Sequence, residues 1–195
     1  MARTVTPRVL ALLLGCAAGP ALAQTGTIHG KVEVTPPKYL AETVVYVKKA
    51  PGTFAPKTAA MDQKGLTFIP HVLVITKGDT VKFLNHDTVA HNVYSPDDDA
   101  YNLGTFKQEE SRTHTFAEEG AYTQLCSIHP EMLAFIFVTQ NPYAAAVDAK
   151  GSFTLKDVPP GSYQLAVWNS HLKAPEKPVT VAAGKIVEET FTLKR

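Results

Sequence analysis

Three observations predict an all-β protein made of two sandwiches. Apolar and β-branched residues alternate with polar ones in short runs, the period of a strand with one buried face. Gly, Pro, Asn and Asp clusters punctuate those runs, and the runs lack the 3.6-residue apolar period of an amphipathic helix. At 195 residues the chain is long enough for one or two compact domains, and its composition is that of an ordinary globular protein. The formal net charge of +1 leaves no electrostatic footprint of nucleic-acid binding, so no such partner is expected.

Residues 1–23 carry Arg3 and Arg8, an apolar run over 9–18, and Ala21-Leu22-Ala23 before Gln24. This is the pattern of a cleaved secretory signal, so the expected location is periplasmic or secreted. A lipoprotein site ending at Cys16 is the less favoured reading, because Leu14 suits it poorly. No later apolar stretch approaches the roughly 18 residues of a membrane span, and none is expected.

The mature chain opens with TIHGKVEV and TVVYVKK, two strands separated by Pro36-Pro37. Residues 50–64 hold two prolines and small side chains and read as a linker or crossing loop. LTFIPHVLVIT, DTVKFLN, VAHNVYS, SRTHTFA, AYTQLC and MLAFIFVTQ then give six strands between turn signals such as Lys77-Gly78-Asp79 and Glu118-Glu119-Gly120. Only 96–103 reads as a helical turn or an acidic loop. GSFTLKDV, PPGSYQLAVW, KPVTVAA and IVEETFTL complete the chain. Four strands are too few for a sandwich that usually has about seven. The expected organisation therefore joins residues 26–50 and 143–195 into one immunoglobulin-like or transthyretin-like sandwich, with a second sandwich over 58–140 inserted between them. The run 132–138 is apolar at every position, which suits either a central strand beneath a long loop or, the preferred reading, a strand whose outer face the other sandwich covers.

Without residues 1–23 the chain has one cysteine, Cys126, in a compartment where thiols oxidise or pair. A buried inert thiol is the plain reading. Its neighbours change that: His129 follows three residues on, Met132 three further, and His91 lies on a strand upstream. Two imidazoles and a thiolate in a plane, with a distant thioether, form the ligand set of a blue-copper centre, which suits both charge states of the metal. Asn92, on the opposite face of its strand from His91, is placed to orient the ligands. His29, His71, His86, His114 and His171 read as ordinary side chains; His86, in the turn Asn85-His86-Asp87, is the nearest competitor to His91.

HNV from His91 and CSIHPEM from Cys126, preceded by GDTVKFLNHDTVA, resemble the cupredoxins, and the Cys-x-x-His-x-x-Met spacing is similar to that of amicyanin-type members. The resemblance implies a Greek-key sandwich over 58–140 and one type 1 copper held by His91, Cys126, His129 and Met132. GSFTLKDVPPGSYQLAVW resembles carboxypeptidase regulatory-like domains, and the combination is similar to secreted bacterial proteins grouped under methylamine utilisation. One departure is Gln124, which stands two before the cysteine where cupredoxins usually carry an aromatic residue; Tyr122 fits four before.

The function expected from this reading is a non-enzymatic carrier of single electrons between redox proteins such as a c-type cytochrome or a dehydrogenase. Electrons would pass through the His129 edge, beside an apolar patch of Pro130, Met132 and Leu133, with Asp97 to Asp99 available to steer a basic partner. Copper holding or delivery, and an interaction protein with an incidental copper site, are the alternatives. The paired His-x-His ligands of multicopper enzymes are absent from the sequence.

Overall fold

A computed structural model describes residues 24–195, so the secretory signal and the lipoprotein alternative at Cys16 lie outside the described residues. The chain opens with β1 (Gly26–Thr35), a 3-10 turn (Pro37–Glu42) and β2 (Thr43–Val47). It continues through β3 (Thr58–Gln63), β4 (Phe68–Ile69), β5 (Val72–Thr76), β6 (Thr80–Leu84), β7 (His91–Ser95), β8 (Tyr101–Phe106), β9 (Ser111–Thr115), β10 (Gly120–Leu125) and β11 (Leu133–Thr139). It closes with β12 (Ala144–Ala146), β13 (Ser152–Val158), β14 (Gly161–Asn169), β15 (Lys177–Val181) and β16 (Ile186–Lys194).

Among the described residues these strands make four sheets, two for each of two cores. The orders β13-β1-β16 and β12-β2-β14-β15 enclose Ile28, Val45, Phe153, Leu165 and Phe191. The orders β5-β11-β10-β7-β8 and β4-β3-β6-β9 enclose Met61, Phe83, Phe116, Cys126 and Ile136. β2 pairs with β12 and β14, strands of the C-terminal part of the chain. The middle segment leaves and returns at one place, where the Ala50 amide donates to Gln140 Oε1 at 3.0 Å. Each of its sheets contains one parallel pair, β3 with β6 and β5 with β11, because the chain crosses between layers rather than running hairpin by hairpin. In both units a tyrosine hydroxyl donates to the carbonyl four residues earlier, Tyr122 to Glu118 at 3.1 Å and Tyr163 to Pro159 at 2.9 Å, a corner common in Greek-key sandwiches.

The continuous apolar run of β11 has its cause here. Ala134, Ile136 and Val138 face the core of the middle unit, while Phe135 and Phe137 join Val44 and Val72 in a third buried cluster against Tyr46 and Trp168. Phe137 stacks on the indole with centroids 5.1 Å apart, and Phe135 meets it edge-on at 5.4 Å. Such geometry adds to the area removed from water.

Several local expectations are corrected. Residues 50–64 are not all linker: Met61 and Gln63 of β3 are fully buried, and parallel pairing with β6 makes a strand of a segment whose own composition does not suggest one. The stretch 96–103 forms no helical turn, since β8 already begins at Tyr101. LTFIPHVLVIT divides into β4 and β5 around Pro70, which has no amide to give a ladder. The C-terminal part contributes a fifth strand, β12, whose three alanines are held by β2.

His114 of β9 is stacked on Tyr101 with centroids 3.9 Å apart, and its Nε2 is buried without a hydrogen-bond partner. Burial pushes the imidazole below its ordinary value of 6.5. The folded state thus holds the ring neutral while the unfolded chain takes up the proton, and the stability this supports is lost as pH falls below about 6.5. Replacing His114 with Phe should flatten the denaturation midpoint over that range. Trp168→Ala should lower unfolding stability by about 2 kcal/mol, read from chemical denaturation, by exposing Phe135 and Phe137; an unchanged midpoint would remove the cluster's stabilising role.

Candidate metal centre

β10 is a central strand, paired with β11 from Gly120 opposite Val138 to Leu125 opposite Leu133, and with β7 where Leu125 faces Tyr94. This pairing fixes the start of the loop that follows. Cys126 comes immediately after β10, and His91 begins β7 next to it. The loop closes on itself through the Met132 amide, which donates to the His129 carbonyl at 3.0 Å.

Three donor atoms converge at the end of these strands. His91 Nδ1 lies 3.0 Å from His129 Nδ1, and Cys126 Sγ lies 3.8 Å from the same nitrogen. His91 and Cys126 are buried and His129 is half-buried, and the three ligand atoms lie within 4.8 Å of one another. Metal–nitrogen bonds of about 2.0 Å and metal–sulfur bonds of about 2.3 Å, opened by 110–120°, put donors roughly 3.3–3.7 Å apart. The observed spacings straddle that range, so the chain holds three ligands where one ion can reach them all. Thiolate and imidazole together suit copper better than the hard cations.

Hydrogen bonds outside the donor set hold it in place. Asp87 Oδ2 lies 3.1 Å from His91 Nε2. Because a carboxylate only accepts, that contact places the ring proton on Nε2 and turns the Nδ1 lone pair toward Cys126 and His129. The Asp87 carboxyl is held below the ordinary carboxylate range, first by the Leu66 amide and then by His91. The Asn92 amide donates to Cys126 Sγ at 3.4 Å. Its side chain accepts from the Ser127 amide at 3.3 Å and donates to Asn102 Oδ1 at 2.8 Å, so Asn92 ties the loop to β7 and β8.

His91, Cys126 and His129 are brought together, and Met132 is buried in the same core cluster as Cys126. The other histidines lie elsewhere: His86 is exposed with Nδ1 2.8 Å from Asp62 Oδ2, and His71 and His171 face Glu42 at 3.5 Å each. Gln124 does not disturb the packing, since the Tyr101 hydroxyl donates to its carbonyl and its amide donates to the Tyr122 carbonyl at 3.2 Å. The expected apolar patch is corrected: Met132 is only 1% exposed, whereas Ile128 at 46% and Leu133 at 38% flank the half-buried His129. Asp97 is taken up in structure, accepting from Ser95 Oγ at 3.1 Å and from the Thr123 amide, which leaves Asp98 and Asp99 as the exposed carboxylates of that turn. Sequence reasoning missed Asp87 and Ile128. Asp87 stood in plain view four residues before His91, but inside a turn, where spacing does not reveal direction.

Comparison with known proteins bears on the same segment. Residues 55–139 match the family of copper binding proteins, plastocyanin/azurin family. The match covers less than half of the chain and falls on the sandwich that carries the donor cluster: that unit is similar to the copper binding proteins of the plastocyanin/azurin family, and it is joined to a second β-sandwich. Residues 119–188 match polysaccharide lyase family 4, domain II, a fibronectin-type domain. That match begins within residues 55–139, whose β10 and β11 belong to the five-stranded sheet.

Among solved structures, a purple cupredoxin from Nitrosopumilus maritimus is 28% identical, with 42% of this chain and 99% of that one covered and a TM-score of 0.40. A reduced amicyanin mutant is 27% identical, covering 44% of this chain and 85% of that one at 0.40. A copper-containing nitrite reductase from Thermus scotoductus is 27% identical at 0.42, covering 49% of this chain and 25% of that one. No curated protein matches the chain.

Asn92→Ala should destabilise the fold by about 1–3 kcal/mol in chemical denaturation, because it removes a buried side chain that makes two hydrogen bonds, one from the Ser127 amide and one to Asn102 Oδ1. Equal stability of the two proteins would show that the loop is held by other means.

Proposed function

We propose that this protein is a periplasmic or secreted carrier of single electrons, in which His91, Cys126, His129 and Met132 would hold one type 1 copper. The observation that carries the reading is the convergence of two imidazole nitrogens and one sulfur at 3.0 and 3.8 Å, with two of the three side chains buried. When bound, copper supplies a one-electron couple whose two charge states this ligand set suits. The chain's own residues keep the donors in position before and after the change: β7 and β10 fix His91 and Cys126, and Asn92 locks the loop between them. Little then has to rearrange, which is what fast transfer needs.

His129 is the half-buried member of the set, with exposed Ile128 beside it and Leu133 just beyond Met132. An apolar rim of this size supports brief docking of a redox protein, such as a c-type cytochrome or a dehydrogenase, through a small interface. No helix among the described residues is long and apolar enough to cross a membrane. The burial of His91 and Cys126 supports carriage over copper delivery, which needs donors a partner can reach. The boundaries 26–50 and 143–195 for the outer sandwich, and 58–140 for the copper domain, are part of the same proposal, as is the absence of enzymatic activity.

Copper-loaded protein should be intensely blue with a narrow copper hyperfine splitting, and should exchange electrons rapidly with a c-type cytochrome in stopped flow. Cys126→Ser should abolish the colour. A colourless copper complex of the wild-type protein would overturn the carrier reading in favour of copper holding.

A further inference from the structure

Asp87 lies outside the donor set, yet the bonds at the metal end of the molecule converge on it. Its Oδ2 faces His91 Nε2 at 3.1 Å and accepts the Leu66 amide at 2.8 Å, while Oδ1 accepts the Thr88 amide at 2.9 Å. The side chain is 13% exposed, and the imidazole it meets is fully buried. Its own amide donates to Asn85 Oδ1 at 2.9 Å, and buried Asn85 in turn donates to the carbonyls of Val89 and Phe106 at 2.9 and 3.1 Å. The carboxylate is thus fixed from behind before it fixes the histidine.

A second observation is independent of the histidine. Leu66, whose amide completes the carboxylate's contacts, has φ +57°. A branched side chain there is strained by about 1–2 kcal/mol, and such a conformation persists only where neighbours hold it. The neighbours are Asp87 and, alongside, His86, which reaches the same hairpin through Asp62 at 2.8 Å and through the Gln63 carbonyl at 3.0 Å. The β3–β4 turn is therefore clasped onto the loop that carries Asp87.

We propose that Asp87 is a positioning residue of the metal centre: by accepting the Nε2 proton of His91 it holds the Nδ1 lone pair on the site, and its charge favours the more highly charged copper. The second half rests on the copper reading above; the first does not. A backbone carbonyl at this place would orient the ring equally well, but it would bring no formal charge within hydrogen-bond reach of a ligand. Removing the charge while keeping the acceptor separates the two effects. In Asp87→Asn the two donors on the Oδ2 side, His91 Nε2 and the Leu66 amide, keep the amide oxygen there, and only the contact with Thr88 is lost.

The test uses the full chain. Nitrogen-15 NMR of the metal-free protein should show His91 as a single Nε2-protonated tautomer in the wild type and in Asp87→Asn, and as a mixture in Asp87→Ala. In the copper-loaded protein, Asp87→Asn should shift the relative affinity for the two charge states by about tenfold toward the reduced one, raising the potential by about 59 mV. Unchanged His91 nitrogen shifts in Asp87→Ala, or an unchanged potential in folded Asp87→Asn, would overturn the role. Wild-type protein that binds no copper would sink the carrier reading alone, since the tautomer measurement needs no metal and still decides whether Asp87 positions the ring.

Discussion

The metal end of this molecule depends on one local constraint, the attachment of the loop after β10 to the strand beside it. Cys126, His129 and Met132 share that loop, and a loop of seven residues left to itself would turn its polar groups to water. Asn92 prevents this by donating its amide to the sulfur and accepting the Ser127 amide with its side chain, while Leu125 pairs with Tyr94 across the sheet. Because Asn92 adjoins His91 in sequence, the same contacts that hold the loop also set its distance from the first histidine. Donor geometry and sheet register are therefore one property, and a slip of one residue in β7 would turn His91 away from the cluster.

The second sandwich has a physical part in this arrangement. The five-stranded sheet that carries β10 has β11 as its neighbour, and the outer face of β11 bears Phe135 and Phe137. Two phenylalanines on an open sheet face would be an aggregation hazard. Trp168 and Tyr46 cover them, one from β14 and one from β2. The strand next to the one leading into Cys126 is thus packed on both faces, and the metal end stands on a sheet stiffened from outside.

The parts of this design that were legible in sequence share a feature: their meaning lies in spacing along one element. Cys126, His129 and Met132 on one loop, the period-two strands of the C-terminal part, and the unbroken apolar run of β11 all declare themselves that way. What stayed hidden depends on partners distant in sequence. β3 and β12 have little strand character of their own and exist because β6 and β2 pair with them. Met132 reads as readily as a surface residue as a core one until the loop is closed. Asp87 looks like any turn aspartate, and only the direction of its side chain, set by Asn85, shows that it faces a buried imidazole.

The convergence of His91, Cys126 and His129 on a single ion is tested most directly by X-ray absorption at the copper edge of the loaded protein. Two nitrogen scatterers and one short sulfur scatterer, with the sulfur lost in the Cys126→Ser variant, is the expected result. A first coordination sphere of nitrogen and oxygen alone would contradict it.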